Sequence, residues 1–439
     1  MEATVKTDTA TISPAQKVWR HRIFAITWLV YAGFYLCRKN LSVVMPLMAN
    51  DLSLSNLQLA DVVFGYSLFY AVGQFLFGTL ADRFGSRAII LMGLLVAVGS
   101  NLLLGSVSSL WLMTLAACLN GIGQSTGWPG LVKTMAAWFR PAERGVVMAW
   151  WTTNYVVGGF AGTVFATFTV TSPWLFPRWG WQRGLWIPAF TLLGITGLFA
   201  WLARNRPADA QLPEIVDPDE AGLATSSRPA SSGRFMDRQT VRIYLRMLAD
   251  WEVWTAAMGA MFCKITRYSF LFWLPLYLTQ RLGYQERAAG YTSAIFELAG
   301  FGGALLGGYA SDKLMQSRRL PVAAVMMWGL ALVCWVHPWL SALGPWGVAF
   351  GIALIGIMNY GPDSILQGAA AQDIGKRWGV GKTSGFINGI SSIGQLFSAF
   401  LVGTVSQLYG WDALFSIFTV LALVGGGVLA TRWRHANHL

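Results

Sequence analysis

Apolar runs of 18 or more residues recur along nearly the whole chain, and this feature limits the possible folds more than any other. Each run is long enough to cross a bilayer hydrocarbon core of about 30 Å as a helix. Hydrophobic residues make up 55% of the chain and charged residues only 12%, about half the charged fraction of a soluble domain. Backbone groups in lipid are satisfied by helices or closed barrels, and no alternating strand pattern is present. The sequence therefore predicts an all-α membrane protein.

The runs form two groups of six predicted transmembrane helices, separated by a polar segment rich in Pro, Ala, Ser, Asp and Glu. The predicted spans are about 23–48, 58–80, 88–107, 111–138, 145–170, 183–203, 251–278, 288–311, 320–340, 344–372, 383–408 and 411–432. The predicted domains are an N-terminal tail at 1–22, a first bundle at 23–203, a linker at 204–250, a second bundle at 251–432 and a C-terminal tail at 433–439. Within the linker, Arg and apolar residues at helical spacing predict a surface helix at 234–247.

The basic residues predict the orientation of the chain. The formal charge is +12, and most Lys and Arg residues fall in short loops on one side, which is the pattern of cytoplasmic loops. These residues do not form a patch interleaved with aromatics, so a nucleic-acid partner is not expected. Both termini are predicted to be cytoplasmic, and the first span is predicted to remain uncleaved. The four cysteines lack CxxC spacing, so neither a disulfide framework nor a metal site is expected.

An internal repeat relates the two groups of helices. The loop GTLADRFGSR, with Asp82 and Arg83, recurs at the matching place of the second group as GGYASDKLMQSR, with Asp312 and Lys313. A repeat that spans half the chain predicts two pseudo-symmetric six-helix bundles with a substrate site between them at the bilayer midplane. We expect the four charged residues to gate the cytoplasmic face through ion pairs that lock one access state.

The segment from Tyr31 to Pro46, YAGFYLCRKNLSVVMP, carries the strongest functional signal. Tyr31, Tyr35 and Arg38 are spaced i, i+4, i+7, so they share one helix face, and an intramembrane Arg is usually retained for function. The alternative is that Arg38 and Lys39 anchor the helix end at the interface. Its counterpart in the second group, Arg267, favours a central cavity in which two planar guanidinium groups bind a phosphate or carboxylate.

Lys264 precedes Arg267 by three residues and lies on the same helix face. Two cations one turn apart repel each other, so they need a carboxylate partner or a bound anion. Glu297 is expected to orient one of these two cations. Asp363 is the other available carboxylate, and site and structural roles are equally favoured for it.

The motifs together resemble the organophosphate:phosphate antiporter family of the major facilitator superfamily. The family-like segments are YLCRKNLSVVMP, GWPGLVKTMAAWFRPAERG, FELAGFGGALLGGYASDK, YGPDSILQGAAAQD and GFINGI, and the resemblance covers both halves. The resemblance implies the major facilitator fold, without a cofactor, and exchange of an organic phosphate ester for inorganic phosphate.

The resemblance also implies roles for particular residues. Arg38 and Arg267 match the arginines that hold phosphate, Tyr31, Tyr35 and Tyr70 match cavity tyrosines, and Glu297 and Lys133 match family positions involved in charge pairing or coupling. The chain departs from the family at three places: Gln74 replaces a Lys, Tyr155 replaces a His, and Lys264 replaces a cavity tyrosine. The positive charge of the cavity is thus kept but moved to the second half, which puts the substrate identity in doubt.

These observations lead to one favoured function and two alternatives. The favoured function is a monomeric transporter of sugar phosphate or glycerol phosphate in a bacterial inner membrane, working by exchange with inorganic phosphate. Gln74, Tyr155 and the cavity tyrosines would contact the organic part of the substrate. The alternatives are a proton-coupled carrier of carboxylates or phosphonates, with Glu297 or Asp363 titrating, and a transporter-like hexose-phosphate sensor. An enzyme is not expected, since no nucleophile and base pair or cofactor motif is present.

Overall fold

A computed structural model describes residues 12–213, 215, 245–316, 318–378 and 380–433, and these residues form helices and turns without strands. Most of the predicted linker, including the greater part of the predicted surface helix, lies outside the described residues, so the domain boundaries remain predictions. The described helices combine into twelve spans, as the sequence predicts.

The first half contains spans 1 to 6. Span 1 consists of α1 (Pro14–Phe34) and α2 (Leu36–Asp51), span 2 is α3 (Asn56–Phe84) and span 3 is α4 (Ser86–Ser106). Span 4 consists of α5 (Leu110–Ser125) and α6 (Gly127–Trp138), span 5 of α7 (Pro141–Trp151) and α8 (Thr153–Thr171), and span 6 is α9 (Arg183–Leu202). Spans 1, 4 and 5 are therefore each interrupted at one residue near their middle.

The second half contains spans 7 to 12. Span 7 is α10 (Trp251–Gln280), span 8 is α11 (Glu286–Tyr309) and span 9 is α12 (Arg319–Ala342). Span 10 consists of α13 (Pro345–Ser364), a π-helical segment (Ile365–Ala370) and α14 (Ala371–Trp378). Span 11 is α15 (Val380–Leu408) and span 12 is α16 (Trp411–Ala430). A second π-helical segment, Ala310–Leu314, follows span 8.

Length and apolar composition alone qualify six helical segments, within the described ranges, as able to cross a membrane. These are Ser86–Ser106, Pro177–Leu202, Arg319–Ala342, Pro345–Arg377, Thr383–Leu408 and Trp411–Ala430. Spans 1 and 7 contain the intramembrane cations, and spans 4 and 5 are interrupted. These four spans are not among the six segments that qualify.

Equivalent tryptophans fasten the ends of spans 1 and 7 at the face of the molecule distal to the termini. The indole N–H of Trp181 donates to Asp51 at the end of span 1, at 2.9 Å. The indole N–H of Trp411 donates to Gln280 at the end of span 7, at 3.2 Å. Each tryptophan follows a glycine, Gly180 or Gly410, at the same place in its half of the repeat. The structure therefore makes the same contact twice, once in each half.

The two halves close against each other at the same distal face. Asn56 at the start of span 2 donates to Ser406 at the end of span 11, at 2.9 Å. Gly403 allows this approach, because a Cβ atom there would lie 2.5 Å from Ala60 Cβ and 2.9 Å from the Asn56 carbonyl oxygen. Gly290 of span 8 meets span 5 equally closely. These contacts hold the two halves together at this face.

Candidate functional site

Arg38 lies in the middle of the first half, three residues after the turn at Tyr35 that separates α1 from α2. Its side chain is buried, and Nε donates to the Gln124 side-chain oxygen of span 4 at 3.2 Å. The guanidinium carbon is 4.5 Å from the Tyr35 ring centroid and 5.0 Å from that of Tyr70. Nη2 has no hydrogen-bond partner among the described residues. Arg38 is thus held by neutral groups and keeps a donor free for an anion.

Tyrosines form the wall around Arg38. Tyr31 contacts Tyr35 edge to face, with ring centroids 5.9 Å apart, and it also packs against Trp128 of span 4. Tyr66 stacks on Tyr70 with centroids 5.8 Å apart. Tyr66 was not among the predicted site residues, although it precedes Tyr70 by one helical turn.

Arg267 lies at the matching place on span 7, but its surroundings differ from those of Arg38. It forms an ion pair with Asp363 of span 10, and its guanidinium carbon lies 4.2 Å from the Tyr360 ring centroid. Gln367 also donates to Asp363. The side chains of Arg267 and Asp363 are 12% and 8% exposed, so the pair is buried. The Arg267 charge is therefore compensated by the protein itself.

Lys264 is buried one turn before Arg267. Its ammonium group donates to the Asn388 side-chain oxygen of span 11 at 2.6 Å. In the described part of the chain, no carboxylate lies within ion-pair distance of Lys264. This cation, like Arg38, is held by a neutral amide.

Glu297 does not bind Lys264 or Arg267, which corrects the sequence expectation. The Lys39 ammonium lies 3.0 Å from the Glu297 carboxylate, and the two side chains are 5% and 1% exposed. The Tyr360 hydroxyl also donates to Glu297. Lys39 follows Arg38 directly, so it leaves the helix about 100° around from Arg38 and points at the second half. The ion pair thus joins span 1 to span 8, one from each half.

The Lys39 ammonium also donates to the Leu271 carbonyl of span 7 at 2.8 Å. In a regular helix this carbonyl accepts a bond from the residue four positions later, which here is Pro275, and proline has no N–H. Lys39 supplies the missing donor across the interface. Pro46 of span 1 matches Pro275 when the halves are aligned on their two arginines, so the proline belongs to the repeat.

The remaining predicted site residues lie around this cluster or away from it. Gln74 is half-buried on span 2, one turn beyond Tyr70. Tyr155 of span 5 is half-buried. Lys133 lies outside the cluster, because its ammonium donates to the Ala81 carbonyl of span 2 at 2.9 Å, beside the predicted gating loop.

The predicted gating residues are placed only in part by the structure. Asp312 pairs with Arg319, which also binds Asp373 at 3.1 Å, whereas Lys313 is exposed. Arg83 is exposed and lies 5.3 Å from the Phe84 ring centroid. The Asp82 side chain is outside the described part of the structure. The partner of Asp312 is thus Arg319, and the gating role of the four residues stays a prediction.

The sequence of the chain matches a known family. The sequence model of the Major Facilitator Superfamily matches residues 27–376. The chain belongs to the Major Facilitator Superfamily.

Relatives within this superfamily confirm the predicted resemblance to organophosphate:phosphate antiporters. The glycerol-3-phosphate transporter of Bacillus subtilis is 27% identical over 444 residues, which cover 98% of this chain and 97% of that protein. A protein of Chlamydia pneumoniae named "Probable hexose phosphate transport protein" is 26% identical over 437 residues, covering 97% and 94%. The membrane sensor protein UhpC of Salmonella typhimurium is 26% identical over 421 residues, covering 95% and 92%.

Solved structures show that the fold extends over nearly all of the chain. A bacterial homologue of the human lysosomal transporter Spinster, in an inward-facing and unoccupied conformation, aligns with a TM-score of 0.75 at 15% identity. The alignment covers 97% of this chain and 98% of that one. The D-xylose–proton symporter aligns with a TM-score of 0.67, also at 15% identity, over 93% of this chain and 97% of that one. The predicted major facilitator fold is confirmed.

Sequence reasoning missed the partners of the cluster. The sequence offers Lys39 a role as part of a helix-end anchor but no partner, and it does not single out the amides Gln124 and Asn388. For Lys39 a signal existed, since Pro275 leaves a helical carbonyl that needs an outside donor. For the amides none existed, because the spacing along one helix does not show which side chains of another helix face it.

Proposed function

We propose that this protein is a secondary transporter that exchanges small phosphorylated organic anions for inorganic phosphate by alternating access. The observation that carries the proposal is the surplus of buried cations between the halves. Arg38, Lys39, Lys264 and Arg267 meet only two carboxylates, Glu297 and Asp363, in the described part of the site. Unpaired charge is costly in a membrane, so this surplus favours a bound anion. The relatives named for hexose phosphate and glycerol-3-phosphate transport point to phosphate esters.

The proposed site uses residues from both halves. Arg38 and Arg267 hold the phosphoryl group with planar sets of N–H donors, and Lys264 adds positive charge. The organic part of the substrate lies against Gln74, Tyr155 and the tyrosines around Arg38. These aromatic surfaces suit a sugar or glycerol moiety.

Exchange follows from the charge of the empty site. Without an anion the surplus cations repel one another, which opposes the approach of the two halves. A bound dianion removes this repulsion, so the loaded protein changes its access state more readily than the empty one. The Lys39–Glu297 ion pair, which joins the halves, must break or rearrange when they rotate, and it makes the transition sensitive to the local charge.

The proposed setting is the cytoplasmic (inner) membrane of a bacterium, with both termini in the cytoplasm and the protein acting as a monomer. The even number of spans supports termini on one side. The positive-inside distribution of basic residues supports the cytoplasm as that side.

The test is uptake of labelled phosphate into proteoliposomes preloaded with phosphate, with phosphate esters, phosphonates and carboxylates as competitors. The expected result is rapid exchange that one class of phosphate ester blocks. Arg38→Ala is expected to lower exchange by about 100-fold, whereas Arg178→Ala, at an exposed position between spans 5 and 6, serves as the matched control. Exchange at near wild-type rate in Arg38→Ala would refute the site.

Two further arms of this experiment separate the alternatives. Uptake of a carboxylate or phosphonate driven by a pH gradient, with no phosphate inside, would indicate a proton-coupled carrier in which Glu297 or Asp363 titrates. Binding of hexose phosphate without transport under any gradient would indicate a sensor, which is what the name of the Salmonella relative describes.

A further inference from the structure

The two cations of the second half differ in what neutralises them. Arg267 is ion-paired with Asp363, so its charge is compensated inside the protein. Lys264, one turn away on the same helix, is held by the neutral Asn388 amide at 2.6 Å. In the first half, Lys39 is compensated by Glu297, and Arg38 is held by neutral Gln124. Within the described part of the site, the uncompensated charges are therefore Arg38 and Lys264.

We propose that Lys264 and Asp363 are a balanced pair of specificity residues that fix the surplus charge of the site at two. Asp363 removes the charge of Arg267, and Lys264 restores it one helical turn away. The site thereby selects anions of charge −2, such as phosphate monoesters, over monoanionic phosphodiesters. This inference rests on the proposed function and names the charge class of its substrate.

The geometry supports a shared role for the two cations. Three residues along an α-helix correspond to a rise of about 4.5 Å, so Lys264 and Arg267 lie on one face within reach of a single small ligand. Asp363 forms its ion pair with Arg267. Removing Lys264 alone would leave Arg267 as the remaining cation of the two, and Asp363 would still neutralise its charge.

A structural role alone does not explain why the Lys264 ammonium group is buried. A buried ammonium group without a carboxylate partner is unfavourable unless a ligand completes its surroundings. Asn388 satisfies one of its three N–H donors. Among the described residues the other two have no partner, which leaves them available to phosphoryl oxygens.

The test compares four proteins in proteoliposomes preloaded with phosphate: wild type, Lys264→Gln, Asp363→Asn and the double variant. Lys264→Gln is expected to raise the half-saturating concentration of a phosphate monoester by about tenfold or more, since one charge-assisted bond is lost. The double variant is expected to recover most of this loss, because Asp363→Asn releases the charge of Arg267. Lys264→Arg keeps the positive charge and should keep a half-saturating concentration close to that of the wild type. Arg178→Gln, at an exposed position, is the control for a charge lost elsewhere.

A second arm compares two competitors that differ in charge. Wild-type exchange is measured with a phosphate monoester and with its O-methyl diester as competitors, which have nearly the same shape but charges of −2 and −1. The monoester is expected to compete about tenfold or more better, because one of the two surplus cations loses its counter-charge in the diester complex. In Lys264→Gln the preference should shrink.

The outcomes separate this inference from the function on which it rests. Absence of any phosphate or ester exchange in the wild type overturns the proposed function. Wild-type exchange that tolerates Lys264→Gln, or that accepts the diester as well as the monoester, overturns only the charge balance. The charge balance is also overturned if the Lys264→Gln, Asp363→Asn variant is folded and monodisperse but does not recover affinity for the phosphate monoester.

Discussion

The two halves of this transporter place the same kinds of side chain at matching positions but treat their charges differently. When the halves are aligned on Arg38 and Arg267, Tyr35 matches Lys264 and Lys39 matches Tyr268. The arginine keeps its place, whereas the lysine and the tyrosine exchange places around it. Each half thus has one arginine, one lysine and one tyrosine on the central turn of its first helix.

The carboxylates break the symmetry. Glu297 and Asp363 both belong to the second half, so the first half contributes charge without counter-charge. Arg38 is held by an amide and aromatic rings, and Lys39 finds its partner across the interface. An internal repeat therefore preserves where the cations sit, while the partners decide which of them is free to bind an anion.

The largest expected effect concerns the stability of the second half. Arg267→Ala leaves Asp363 buried without a partner and is expected to reduce the free energy of unfolding by about 3–5 kcal/mol. The double variant Arg267→Ala, Asp363→Ala should recover much of the lost free energy of unfolding. Thermal unfolding in detergent measures both, and equal losses in the single and double variants would contradict the ion pair.

The next effect concerns transport by the first half. Arg38→Ala is expected to lower exchange by about 100-fold, because a buried charge that binds the substrate is lost, which corresponds to more than about 2 kcal/mol. Its effect on unfolding should be smaller than that of Arg267→Ala, since its protein partner is the neutral Gln124. Initial rates of phosphate exchange and a melting curve on the same sample provide the comparison. A larger loss of stability in Arg38→Ala than in Arg267→Ala would contradict this difference between the two halves.

A moderate effect is expected where the halves touch at the distal face. Gly403→Val places side-chain atoms against Ala60 and the Asn56 carbonyl, and overpacking of this kind costs about 1–3 kcal/mol. The halves should therefore separate more often at this face. Distances between spin labels on the distal ends of spans 2 and 11 report the shift. Gly427→Val is the matched control, since a Cβ atom there meets nothing within 4 Å, and an equal shift in that variant would argue against the contact.

The smallest expected effect concerns the matching tryptophan hydrogen bonds of the two halves. Trp181→Phe and Trp411→Phe each remove one indole hydrogen bond at a helix end, so each should cost about 1 kcal/mol. Melting temperatures of the two variants are expected to fall by similar small amounts. A loss confined to one half would show that the asymmetry of the central cluster extends to the distal face.

The sequence predicts the helices and the repeat well, because both depend on local composition and spacing. Twelve spans, two bundles and the pairing of Arg38 with Arg267 by offset are all readable from the chain. The interruption of span 4 at Thr126 also has a readable cause, since Pro129 cannot donate to the Ser125 carbonyl. The interruptions at Tyr35 and Thr152 have no such signal.

The partners of the buried charges were not predictable in the same way. Glu297 and Asp363 lie on different helices, and which cation each one meets depends on how those helices are rotated and how far they are shifted along the membrane normal. Helical spacing shows which residues of one helix share a face, but not what that face meets. The assignment of Glu297 to Lys39, and of Asp363 to Arg267, therefore required the structure.

The infrared absorption of the Leu271 carbonyl can report when the two halves move apart. Pro275 leaves it without a donor in its own helix, and Lys39 of the other half supplies one. Its stretching frequency therefore depends on whether the interface is closed. An isotope label at this single peptide group would give an infrared band that shifts each time the two halves part, with no dye or spin label attached to the protein.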